Sequence, residues 1–198
     1  IVEAMDKIKE SGIASRRCFV VETMGRDCGY LALMSGIAAG AERIYTNEDG
    51  ISLDDLANDV HWLRESFAHG RRLFLAVRNE NASHNYTTDF IARLLEEESH
   101  GMYDVRQVVL GHMQQGGSPS PFDRLLANRL GYRALNLIDD ELAAHQDGSW
   151  FIGVNESGMR PCSMDTMPSL IDAAHRRPRE QWWLQLRTIA RMVSDEVR

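Results

Sequence analysis

Three observations predict an α/β fold with mostly parallel strands. Apolar, β-branched runs alternate with helix-like stretches along the chain, glycines sit at the joins, and 43% hydrophobic against 26% charged residues is the balance of a chain that buries a core. At 198 residues it is one ordinary domain or a two-lobed piece of something larger.

Each element follows from its residues. "IVEAMDKIKE" (1–10) reads as a helix already under way, with no initiator Met and no cap in front, and is expected to continue from a longer polypeptide. "RCFVVET" (17–23) is a strand, the small-residue stretch "DCGYLALMSGIAAG" (27–40) a helix and "RIYTNE" (43–48) a short strand. Ser52 is placed to cap an amphipathic helix that runs to about Ala68, followed by the strand "RRLFLAVR" (71–78) and a helix capped by Thr87 or Thr88. The strand "RQVVLGH" (106–112) leads through "GHMQQGGSPSPFDR" into the helix "PFDRLLANRLGYRALNLI" (121–138), with Ser118 or Ser120 as its cap and a proline in its first turn. "SWFIGVNESGMRPCSM" (149–164) reads as a hairpin-like pair, and "PREQWWLQLRTIARMVSDEV" (178–197) as a closing helix.

Composition excludes several function classes. A formal net charge of −7 argues against a broad nucleic-acid or membrane surface, so any anion site must be local. Cys18, Cys28 and Cys162 have no CxxC spacing and no companion histidines, which points to reduced thiols in a cytoplasmic protein with no disulfide framework and no metal. No run approaches the roughly 18 apolar residues of a membrane span, and no signal peptide is recognisable.

Chemistry concentrates where three strands end in polar turns. After "VVET", Met24-Gly25-Arg26 turns directly towards a helix, which places backbone N–H groups where an anion can sit; Arg26, Arg16 and Arg17 could add guanidinium forks. The alternative is that Gly25 and Gly29 serve only tight helix–sheet packing. In "VRNENASHNYTTDF", Glu80 stands at a strand end where a carboxylate accepts from sugar hydroxyls, although an asparagine-rich loop also reads as turn chemistry before a helix cap. In the third turn His112 could bond a phosphate or hydroxyl, Gln114 and Gln115 offer neutral donors, and Gly116-Gly117 permit close approach. A lone histidine at a strand end is usually structural, and the combination of these residues is what points to a ligand. The three ends are expected to bring Met24, Glu80 and His112 around one pocket.

The segments "VVETMGRDCGYLAL", "NYTTDFI", "VLGHMQQGGSPSPFDR" and "REQWWLQLR" resemble the 6-phosphofructokinases, and the resemblance covers essentially the whole chain. More narrowly, the chain is similar to the C-terminal, regulatory half of the long eukaryotic type. The catalytic half of that family carries an arginine where this chain has Gln115, and a segment like "VAEG" or "ITE" where this chain has "RNENAS". The resemblance implies a phosphofructokinase-like fold with parallel-rich sheets and flanking helices. It implies about 1–117 as a sugar-phosphate lobe, about 118–162 as elements returning to a nucleotide-type lobe, and about 163–198 as closing helices. It also implies a homo-oligomer that binds fructose 2,6-bisphosphate in what was once a fructose 6-phosphate site.

Carried over by position, the resemblance puts Met24, Gly25 and Arg26 beside the sugar and its phosphate and Glu80 on the sugar hydroxyls. His112, Met113, Gln114 and Gln115 line one phosphate, Arg176 matches a phosphate-binding arginine, and Arg17 and Arg106 match arginines that reach into a partner subunit's site. Arg26 departs from the pattern, since the regulatory half usually has a glycine there.

The family's nucleotide loop (Gly-Gly-Asp-Gly-Ser) and its Thr-Ile-Asp-Asn-Asp catalytic segment do not occur in this sequence. This stretch is therefore expected to be inactive alone, with no catalytic residue and no cofactor of its own, Mg2+ and ATP being implied for the parent enzyme. It is also expected to expose apolar edges and express poorly by itself. Two alternatives remain: a catalytic fructose 6-phosphate-binding half, and a half kept only for oligomerisation.

Overall fold

The computed structural model describes residues 1–12, 14–155 and 158–195, which fall into two compact units, 1–116 with 181–198 and 117–180. The first unit is a four-stranded parallel sheet in the order β2-β3-β1-β4, made of β1 (Arg17–Thr23), β2 (Arg43–Tyr45), β3 (Leu73–Asn79) and β4 (Asp104–Val109). Its helices are α1 (Val2–Gly12), α2 (Tyr30–Ala39), α3 (Leu53–Ala68) and α4 (Thr88–Glu97).

The strands are almost continuously apolar because helices cover both faces of the sheet. Cys18, Val20, Phe74, Ala76 and Val105 pack under α3 and α4 with Leu56, Leu63, Phe67, Ile91 and Leu95. Phe19, Val21, Leu75 and Val77 face the other way, against Met5 of α1 and Ala32 and Ala39 of α2. The register puts Val20 beside Ala76 and Gln107, so successive residues of β1 serve opposite cores. Each fully buried large apolar side chain contributes roughly 1.5–3 kcal/mol.

The expected caps appear. Ser52 and Asp55 form a reciprocal capping box at α3, and Thr87 caps α4 through Phe90 N. Three expectations are corrected. β2 stops at Tyr45 because Thr46 and Asp49 close a side-chain turn, with Thr46 Oγ1 donating to Asp49 Oδ2 at 2.7 Å and Gly50 entering the left-handed region at φ 71°. α2 begins at Tyr30 instead of residue 27, because Arg26 takes φ 50° and breaks the helical path. β4 begins at Asp104 and ends at Val109, and residues 111–115 form a 3-10 turn that Gly111 enters at φ 50°.

In the second unit α5 (Pro121–Ala144) starts at a Ser120–Asp123 capping box with Pro121 in its first turn, and Arg124 Nε donates to Pro119 O. The antiparallel hairpin of β5 (Trp150–Asn155) and β6 (Gly158–Ser163) follows as expected; Glu156 and Ser157 at its tip lie outside the described residues. The single closing helix is corrected. Arg177–Pro178 instead forms a short strand against Ile171–Asp172, and Trp182–Leu186 is a 3-10 turn of the first unit. α6 (Arg187–Asp195) then supplies the helix, residues 196–197 of the expected stretch lying outside the described residues. The turn seats Trp183 edge-on to Tyr30 at 5.0 Å, which a helix begun at Pro178 would not provide.

Candidate functional site

The C-terminal ends of β1, β3 and β4 open on one cavity of about 230 Å³, lined by Glu22, Met24, Glu80, Val109, Gly111 and His112. Parallel strands place their carboxyl ends on one edge of the sheet, where α/β folds hold ligands. Met24, Glu80 and His112 thus meet although they are far apart in the chain.

The turn after β1 is held from two sides. Met24 N donates to Gln114 Oε1 at 2.8 Å and Gln114 Nε2 donates back to Met24 O at 3.1 Å. Gly25 N and Arg26 N both donate to Glu80 Oε1, at 2.9 and 2.7 Å. The free backbone amides expected here are therefore engaged: the anion they hold is the carboxylate of Glu80. The N-terminus of α2 is occupied in the same way, Gly29 N donating to the Glu48 carboxylate at 2.9 Å. Gly25 is needed for close approach, since a Cβ there would lie 2.6 Å from Cys28 O and 2.7 Å from Asn79 Nδ2.

The other expected site residues divide. Met113, Gln114 and Gln115 are outside the cavity lining; Met113 is exposed, Gln114 serves the Met24 backbone, and Gln115 Oε1 lies 3.2 Å from His112 Nδ1. Arg26 is also outside it. Arg17 starts β1, six residues or roughly 20 Å before the pocket end, with Nη1 donating to Ser11 O at 3.4 Å. Arg106 is the third residue of β4 and pairs with Asp104 at 3.6 Å. Neither reaches the cavity of its own chain. Arg176 belongs to the second unit, at φ 52° in the turn between the two short strands.

Sequence reasoning missed Arg78, 2% exposed at the end of β3. Its guanidinium donates to Glu22 Oε2 at 2.8 Å, Glu80 O at 3.0 Å, Ser83 O at 2.5 Å, Tyr86 O at 3.2 Å and Thr88 Oγ1 at 3.4 Å. Burial pulls its pKa below the ordinary arginine value while Glu22 beside it pushes back. Arg78 thereby fixes the whole loop that carries Glu80.

The junction behind the β1 turn is packed without slack. A Cβ at Gly29 would stand 2.5 Å from both Thr46 Cβ and Glu48 Oε2. Gly29→Ala is expected to displace the Glu48 carboxylate and cost about 1–3 kcal/mol, read as faster amide exchange at the start of α2. Unchanged exchange would show that the junction yields.

Among the described residues no group of three or more His, Cys, Asp or Glu side chains is arranged to hold a metal ion, and no helix is long and apolar enough to cross a membrane.

Comparison with known proteins gives concordant matches. The phosphofructokinase family model matches residues 1–138. The ATP-dependent 6-phosphofructokinase of Dictyostelium discoideum is 41% identical over 195 residues, 98% of this chain and 23% of that protein. The muscle-type enzyme of Homo sapiens is 41% identical over 205 residues, 98% of this chain and 26% of its own length. The structure of phosphofructokinase from Saccharomyces cerevisiae superposes with a TM-score of 0.92 at 33% identity, covering 99% of this chain and 27% of that one. The chain spans about a quarter of the length of these relatives.

Proposed function

The chain belongs to the phosphofructokinase family, and from that premise we propose that it is part of the regulatory C-terminal half of an ATP-dependent 6-phosphofructokinase, with fructose 2,6-bisphosphate as its activating ligand. The parent enzyme transfers the γ-phosphoryl group of ATP to fructose 6-phosphate, giving ADP and fructose 1,6-bisphosphate in the cytoplasm. The observation that carries the sugar-phosphate reading is the convergence of three strand ends on one cavity with Glu80 and His112 on its wall. Glutamine at 115 favours a regulatory role, because an arginine there would add a charge-assisted bond to phosphate worth about 1.5–3 kcal/mol. Mg2+ and ATP are assigned to the rest of the parent enzyme, as the family resemblance implies.

Binding activates only by favouring the active state of the assembly, so the ligand must contact the two states differently. Arg17 lies a strand's length from its own cavity and Arg106 about half of one, three residues or roughly 10 Å before Val109, and neither lines it, which suits donation to a partner subunit in a homo-oligomer. Arg106→Ala is then expected to weaken activation by fructose 2,6-bisphosphate in the assembled enzyme while the chain keeps its fold, because its Asp104 pair is exposed and adds little stability. An unchanged response removes Arg106 from the site.

A second reading, a catalytic fructose 6-phosphate half, is favoured by Arg26. Calorimetric titration of the full-length protein with both sugar phosphates separates the readings. Tight binding of the bisphosphate to the site lined by His112 supports the regulatory one, exclusive binding of fructose 6-phosphate there supports the catalytic one, and binding of neither leaves a half kept for assembly.

A further inference from the structure

The family resemblance assigns no role to Glu22, yet it lines the cavity. It is the sixth residue of β1, and the parallel register places it directly beside Arg78. Its Oε2 accepts from Arg78 Nη1 at 2.8 Å and from the Thr88 hydroxyl, while the side chain keeps 22% of its surface exposed. Arg78 and Thr88 thus converge on one oxygen of a carboxylate that borders the cavity.

We propose that Glu22 is a specificity-determining residue of this cavity, an acceptor that recognises a hydroxyl of the bound sugar phosphate and is held in position by Arg78 and Thr88. The proposal rests on the sugar-phosphate reading. An ionised carboxylate accepts hydrogen bonds and donates none, so it matches a hydroxyl and repels a phosphate oxygen. Glu80 is an acceptor of the same kind, and its Oε1 is already engaged by Gly25 N and Arg26 N. The two carboxylates make one side of the cavity hydroxyl-seeking, whereas His112 is the donor-capable side chain among its six lining residues. A ligand with hydroxyls at one end and a phosphate at the other is thereby oriented. Arg78 holds Glu22 aligned, and the rigid pair costs no reorganisation when the ligand arrives.

The test uses the full-length protein and titration with fructose 6-phosphate, fructose 2,6-bisphosphate and the 3-deoxy and 4-deoxy analogues of fructose 6-phosphate. Wild type is expected to bind at least one deoxy analogue about tenfold more weakly than its parent, the scale of a lost hydrogen bond to a charged group. In Glu22→Gln that ratio contracts towards one. A general loss of structure lowers affinity for all ligands alike and leaves the ratio unmoved. If the single variant does not fold, Glu22→Gln combined with Arg78→Met removes both charges together and is read in the same way. An unchanged ratio in a folded variant overturns the role of Glu22. Failure of wild type to bind any of the sugar phosphates overturns the sugar-phosphate reading itself, and this proposal with it.

Discussion

Arg78→Met is expected to lower the local stability of the strands around the cavity by about 3 kcal/mol, the low end of the cost of breaking a buried ion pair, because Glu22 retains some contact with water. The methionine fills similar space but leaves Glu22 and the carbonyls of Glu80, Ser83 and Tyr86 without their shared donor. Each buried acceptor so abandoned costs roughly 1–3 kcal/mol unless water reaches it, so the loop relaxes towards solvent. Native-state amide exchange in β1 and β3 reads this directly, whereas a global unfolding curve of a multidomain enzyme does not yield a two-state free energy. Adding Glu22→Gln should recover part of the loss, since a neutral pair lacks the uncompensated charge. A double variant as unstable as the single one would show that the carbonyls, and not the ion pair, carry the effect. A single variant within 0.5 kcal/mol of wild type, the ordinary range of a surface substitution of about that size, would show that the network is incidental.

The place of Arg78 is set by contacts between strands remote in the chain. The strands were legible because "RCFVVET" and "LFLAVRN" are apolar enough to demand burial, and the caps at Ser52, Thr87 and Ser120 because capping is decided within three residues. Contacts at the cavity are decided over much longer separations: 55 residues between Gly25 and Glu80, 90 between Met24 and Gln114. From the sequence alone, the amides of the β1 turn were open to an external anion; only the fold shows the carboxylate that fills the place. A usable signal did exist. Glu22 and Arg78 are single opposite charges near the ends of two apolar strands, and parallel pairing of those strands makes them neighbours. The path from Pro178 to Arg187 left no such trace, because the helical pattern of "EQWWLQLR" is apolar enough to be continuous with α6, whereas the packing of Trp183 on Tyr30 is tertiary.

His112→Ala is expected to weaken binding of fructose 2,6-bisphosphate by roughly ten- to a hundredfold and to blunt activation in the same proportion, on the scale of one hydrogen bond to a charged group. Of the six residues around the cavity, Glu22 and Glu80 only accept, and Met24, Val109 and Gly111 bring no side-chain donor. His112 is thus the one side chain of that wall able to meet a phosphate oxygen. Its Nδ1 lies 3.2 Å from Gln115 Oε1, so Nδ1–H donates there and orients the ring, and Nε2 donates to a phosphate oxygen in the imidazolium form, in which both ring nitrogens carry protons. Gly111 at φ 50° makes the turn that presents it, and Gly117 at φ 111° lets the chain leave towards α5. In this arrangement "GHMQQGGSPSPFDR" divides into a ligand-facing histidine, glutamines that brace the ring and the Met24 backbone, and a capping box that starts the next helix. The measurement is titration of the full-length variant together with its activation curve. Wild-type affinity for the bisphosphate would remove His112 from the site. A collapse of turnover at saturating fructose 6-phosphate in a folded, assembled variant would identify the turn as catalytic and overturn the regulatory reading, because an effector contact alters the balance between states and not the chemical step at saturation.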